Sequence, residues 1–96
     1  MLAYILEPSG RFLLHVWEEE ALVFDTCSGD THMLDPVATA LVGRLGESGL
    51  DLPALQRWLD ETFVLPDQQA ASTLAEAALL NLRAIGLVRL VPLEDR

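Results

Sequence analysis

The stretch EEEALVFDTCSGDTHMLDP, residues 18–36, reads as two short strands joined by a tight turn and running straight into a helix. ALVFD (21–25) is a compact apolar run of strand length. TCSGD (26–30) carries Ser-Gly-Asp turn chemistry, in which Gly29 can take a positive φ. THML (31–34) resumes as a strand. Asp35 then predicts a helix N-cap, with Pro36 at the first helical position, where its missing N–H costs nothing. The stretch also holds the single cysteine, Cys27, and one of two histidines, His32. It therefore poses a choice between a chemical site and an edge offered to a partner.

Upstream, LLHVW (13–17) is rich in strand formers and EEE is a polar turn, so residues 13–34 predict a meander of three antiparallel strands. The segment 1–12 is not assigned to a strand. Downstream, Val37, Leu41 and Leu45 recur at helical spacing and form one face of a helix that ends near Gly46 or Gly49. Asp51 caps a second helix with Pro53 in its first turn. Leu52, Leu55, Leu59 and Phe63 share one face there, flanked by Trp58. VLPD (64–67) breaks the chain. Pro66 and Asp67 start a third helix running to Ile85, with Gly86 as its C′ stop. LVRLV (87–91) reads as a final strand or extended tail. The order β-β-β-α-α-α-(β) predicts one α+β domain over residues 1–96: winged-helix-like, a three-stranded antiparallel sheet followed by a three-helix cluster.

The third helix is apolar beyond one stripe. Between Asp67 and Ile85, 11 of 19 residues are apolar, too many for a face about 100° wide. Leu74, Ala78, Leu82 and Ile85 are expected to face the core. Ala75, Leu79 and Arg83 would lie on an adjoining face, which either the sheet covers or a ligand occupies.

Composition narrows the function classes. Apolar residues make up 51% of the 96 residues and charged residues 22%, ordinary for a globular domain. One cysteine cannot form an internal disulfide, which points to a reducing, cytoplasmic compartment. No signal-peptide pattern is visible, and no stretch approaches the roughly 18 apolar residues of a membrane span. Fifteen acids against six bases, all arginine, give a net charge of −9. Such a chain repels phosphate backbones and anionic bilayers, so neither nucleic acid nor membrane is an expected partner.

The chemical readings are weak. Cys27, His32 and His15, with Asp25, Asp30 and Asp35 nearby, lack the close ligand spacings of a zinc site. A Cys27 thiol activated by His32 would sit on an exposed turn with no oxyanion-hole motif. SGD lacks the glycine spacing and lysine of a phosphate loop. No cofactor is expected. DNA recognition needs exposed Arg, Lys, Asn or Gln at a helix N-terminus. The second helix offers only Gln56 and Arg57, the third only Gln68 and Gln69 after Asp67.

The run WEEEALVFDTCSGDTHMLDPVATALVGRL resembles the PqqD-like family, the small domains also called RiPP recognition elements. The resemblance rests on the hydrophobic strand ALVFD, the small-polar-Gly turn CSGD, the strand-to-helix junction THMLDP, the helix VATALVGRL and the closing LLNLRAIGLVRLV. More narrowly, W-E-E-E…SGDTH-x-LDP is similar to the subgroup associated with an HPr-kinase-related protein. The resemblance spans most of residues 13–91. It implies a non-catalytic adaptor that binds the leader segment of a precursor peptide and presents it to a modifying enzyme. The peptide would add as a strand to Thr31, His32, Met33 and Leu34, against a helix wall of Ala75, Leu79, Leu80 and Arg83. An HPr-kinase-related protein would be the partner enzyme. An unfilled β-edge can also pair with its own copy, making a homodimer. The alternatives are a winged-helix regulator and a structural subunit of an enzyme complex.

Overall fold

The computed structural model describes residues 2–7, 10–63 and 68–92. Eight elements follow one another: β1 (Leu2–Leu6), β2 (Phe12–Trp17), β3 (Glu20–Asp25), β4 (Thr31–Leu34), α1 (Pro36–Leu45), α2 (Leu52–Thr62), α3 (Gln68–Ala84) and β5 (Val88–Pro92). The strands form two antiparallel sheets, β2-β3-β4 and β1-β5. The α+β class and the three-strand meander are as the sequence predicts. The expected start of the third helix at Pro66 and Asp67 lies outside the described residues.

In the meander, Ala21, Val23 and Asp25 of β3 alternate onto the core side, as a half-buried strand should. The register places Leu34 opposite Ala21 and His32 opposite Val23, so these β4 side chains share the core side. Leu22, Phe24, Met33 and Thr31 take the outer side. The strands run into α1 through Asp35, whose Oδ1 accepts the Ala38 N–H at 2.8 Å. Asp51 repeats the device for α2, accepting the Ala54 N–H at 2.9 Å. Each cap satisfies an orphan helix N–H and contributes about 1 kcal/mol.

The core lies between β3–β4 and the three helices. It takes Leu41 and Leu45 from α1, Leu55 and Leu59 from α2, and Ala75, Leu79 and Leu82 from α3. The end of α3 is a Schellman cap. Gly86, at φ 88, donates its N–H to the Arg83 carbonyl, and Leu87 donates to Leu82. That turn sends the buried Leu87 and Val88 back into the core and starts β5.

β1 is the element the sequence left unassigned. It pairs with β5 in the register Leu2–Pro92 to Leu6–Val88, joining the two ends of the described chain. On its other side Tyr4 exchanges backbone hydrogen bonds with Leu50, at 2.7 and 3.1 Å. Gly49 allows this approach, since a Cβ there would meet Ile5 Cγ2 at 2.7 Å.

The β3–β4 turn is organised by Asp25, the buried charged side chain among the described residues. Its carboxylate accepts two hydrogen bonds from the Arg11 guanidinium, at 2.8 and 2.6 Å, and a third from the Cys27 N–H at 2.9 Å. Its main chain closes the turn, donating to the Asp30 carbonyl and accepting from Gly29, whose φ of 80 fits the predicted turn. The Arg11 hydrogen bonds hold the Asp25 carboxyl well below the usual carboxylate range. Desolvation opposes this shift, and the Cys27 N–H adds to it. The folded form therefore gains stability from ionised Asp25 that is fully present above the ordinary carboxylate pKa, about 4. That stability is lost as pH falls toward the depressed value. Between pH 6 and pH 2.5, thermal midpoints of the wild type should fall more steeply than those of Asp25→Asn. Parallel slopes would show that Asp25 does not carry the acid sensitivity.

Candidate functional site

β4 is the free edge of the sheet on the side facing α3. The Asp25 N–H to Asp30 carbonyl bond, at 2.8 Å, fixes the phase of the ladder. In an antiparallel pair, bonded and non-bonded residue pairs alternate. His32 and Leu34 therefore turn their backbone groups toward β3, and Thr31 and Met33 turn theirs outward. The outward groups are what an added strand would bond.

Beside this edge is a groove of about 300 Å³. One wall is His32, Met33 and Leu34 from β4. The opposite wall is Ala78, Asn81, Leu82 and Ile85 from the C-terminal half of α3 and the residue beyond it. Ala38 and Asp35, at the start of α1, close one end. Small side chains at Ala78 and Ala38 keep the hollow open. Polar and apolar surface are nearly balanced in it, with His32, Asn81 and Asp35 as the polar groups among the apolar walls. Met33 is 66% exposed, and its flexible thioether adapts to varied neighbours.

Of the strand half of the predicted site, His32, Met33 and Leu34 line the groove, Leu34 buried as its floor, while Thr31 lies on the same edge outside the lining. The helix half is placed differently. Ala75 and Leu79 are buried in the core, so neither lines an open surface. Leu80 and Arg83 share a separate hollow with Tyr4, Leu52 and Glu76. At about 100° per residue, that hollow lies roughly opposite the groove face of α3. Leu74, expected in the core, is exposed. The two apolar faces of α3 are real, and both reach the core: Leu82 is buried as expected, Ala78 and Ile85 pack partly against it, and Ala75 and Leu79, expected on the adjoining face, are buried as well. Ala71, Ala75, Leu79 and Leu82 face inward, while Leu74, Ala78 and Ile85 continue the groove side. The 3.6-residue period shows that two faces are apolar and carries no information on which neighbour meets each. Nothing in the sequence pattern marks Ala78 and Asn81 as wall residues beyond one local sign, an alanine beside a larger apolar stripe.

The other expectations concern the turn. Cys27 is an exposed free thiol, and His32 stands on the strand after it. No cluster of three or more metal-ligating side chains occurs among the described residues. No helix among them is long and apolar enough to cross a membrane.

The protein is an α+β domain with an open-edged antiparallel sheet set beside a helical groove. Its fold is similar to that of TbiB1 in the solved structure of TbiB1 in complex with the TbiA(beta) leader peptide. The TM-score is 0.73 and the identity 14%, over 95% of this chain and 99% of that one. The likeness is one of fold. No protein-family model matches the chain, and no curated protein does.

Proposed function

We propose that this protein is a non-catalytic peptide-binding adaptor. It holds the leader segment of a precursor peptide by strand addition and presents it to a modifying enzyme. The observation that carries the reading is the open β4 edge, with the outward backbone groups of Thr31 and Met33 beside the groove under α3. Backbone bonds to that edge supply affinity, and alternate peptide side chains enter the groove. The fold shared with TbiB1, solved with a leader peptide, supports the same use. The wall is Ala78, Asn81 and Ile85; Leu80 and Arg83, facing away, stay outside the contact. A net charge of −9 favours a peptide carrying basic residues. The resemblance of SGDTHMLDP to the PqqD-like subgroup makes an HPr-kinase-related protein the proposed partner enzyme.

An NMR titration of the labelled protein with precursor peptides encoded beside its gene tests the reading. Shifts are expected at the amides of Thr31 and Met33 and along Ala78–Ile85, with Leu80 and Arg83 moving least. No shifts with any such peptide, together with shifts on α2 with duplex DNA, would replace the adaptor by a winged-helix regulator.

A further inference from the structure

The groove between β4 and α3 has walls of unlike character. Met33, Ala78 and Ile85 present apolar surface, whereas Asp35 and Asn81 present polar groups. Asp35 uses one carboxylate oxygen to accept the Ala38 N–H, at 2.8 Å. Its other oxygen has no hydrogen bond or ion pair among the described residues, and neither has the Asn81 side-chain amide. Both residues are exposed, so water satisfies these groups in the free protein and a ligand can replace that water. Free acceptors beside an apolar hollow suit a side chain with an apolar stem and a hydrogen-bond donor at its tip.

The field at the groove sets the charge of that tip. Asp35 brings a full negative charge, and the described lining holds no arginine or lysine. The N-terminus of α1 opposes it with only about half a positive charge. Ala84, the last residue of α3, also lines the groove. The negative end of that helix, about half a charge, therefore lies at the groove as well. Neither arginine at this end of α3 cancels it. Arg83 lines the separate hollow with Tyr4 and Leu80. Arg11 lies against Gly86, where an added Cβ would meet its Nη1 at 3.3 Å, but its guanidinium is already paired with Asp25. The groove favours a cation.

Strand addition supplies the direction of approach. Residues directly opposite each other on antiparallel strands share a face. A peptide residue opposite His32 or Leu34 therefore projects its side chain to the side those two occupy, into the groove. Opposite Leu34, that side chain starts one residue from Asp35.

We infer that the groove takes a lysine or arginine of the bound peptide. Its alkyl stem lies against Met33, Ala78 and Ile85, and its cationic head meets the free Asp35 oxygen and the Asn81 side-chain oxygen. The inference rests on the proposed strand addition at β4 and names the side chain that the site selects.

Three synthetic pentapeptides isolate the contact: Thr-Val-Xaa-Val-Thr, acetylated and amidated, with lysine, norleucine or glutamate as Xaa. Norleucine keeps the stem and drops the charge. NMR titrations at about pH 8 keep an ordinary imidazole neutral. The lysine peptide should bind about 3- to 10-fold more tightly than the norleucine peptide, and the glutamate peptide more weakly than either. Asp35→Ser keeps α1 capped by a hydroxyl, and should bring lysine and norleucine to within about twofold. Asn81→Asp should widen the lysine preference. Shifts at the Thr31 and Met33 amides with equal affinity for lysine and norleucine, or with a preference that survives Asp35→Ser, overturn the basic pocket and leave strand addition standing. No shift at those amides with any of the three peptides overturns both.

Discussion

Leu79→Ala is expected to cost about 2–5 kcal/mol of folding stability, the range for emptying a buried leucine site. Leu79 is among the largest fully buried side chains, with Leu41, Leu55, Leu59 and Leu82. These come from all three helices, so the cavity would open where α3 meets the rest of the core and no flexible surface could collapse into it. A domain of this length has roughly 5–14 kcal/mol in total, so at least about a seventh of its stability, and at the upper end all of it, is at stake. At about 4–8 °C per kcal/mol for this size, the thermal midpoint should fall by at least ~8 °C. In urea the midpoint should drop with an unchanged m-value, since the native fold and the surface it hides stay the same. Peptide affinity, measured well below the unfolding transition, should change less than about threefold, because Leu79 faces away from the groove. A variant that kept its urea midpoint and lost peptide binding would put Leu79 on the open face after all.

The inward position of Leu79 is not written in the local sequence, whereas much of the rest of the fold is. The signals that decide the meander and the first two helices are local: a Ser-Gly-Asp turn, two aspartate caps each with a proline in the first helical turn, and apolar residues at i, i+4 and i+8. Each acts over a short span of chain, so each is legible. The C-terminal stop at Gly86 is legible for the same reason, because only the left-handed conformation asks for glycine there. β1 is not. LAYIL has no alternation and no adjoining turn signal, and its partner β5 lies at the far end of the chain. Pairing at that distance is decided by tertiary packing, not by propensity.

The site divides along the same line. Its strand half follows from the turn and the junction THMLDP, which fix β4 as the last strand of the meander and hence as an edge. Its helix half depends on the rotation of α3 about its own axis. A helix apolar on two adjoining faces can be docked in two ways differing by about a quarter turn, and the sequence pattern is the same for both. What selects the observed docking is volume. Leu79 and Ala75 pack inward between α1 and α2, and the smaller Ala78 is left against β4, where a bulkier side chain would have closed the cleft. The Arg11–Asp25 pair is similarly hidden in the sequence. The two residues are 14 apart, and only the register Phe12 to Asp25 brings the guanidinium beside the carboxylate.

The size of residue 78 leads to the second large effect. On the proposed reading, Ala78→Trp should reduce affinity for a leader peptide on the order of 100-fold or more while leaving the protein folded. Ala78 lies half-buried on the groove wall opposite β4, and the groove holds only about 300 Å³. An indole there occupies the space that an added strand's inward side chains need. The peptide could still approach the Met33 backbone, but only by forfeiting its pocket contacts or by displacing α3 from the core. Steric exclusion of this kind removes the central contacts around which an interface is built. The stability change should stay within about 1 kcal/mol, since tryptophan lowers helix propensity only modestly and the site opens to solvent. Leu80→Trp is the matched control. Leu80 is 68% exposed and faces roughly the opposite way, so the same indole at position 80 should leave affinity within about twofold. Isothermal titration with one leader peptide and the three proteins separates the cases. Loss at position 78 alone fixes the groove between β4 and α3 as the peptide site. Loss at position 80 alone moves the site to the hollow beside Tyr4 and Arg83 and takes the β4 edge out of peptide binding.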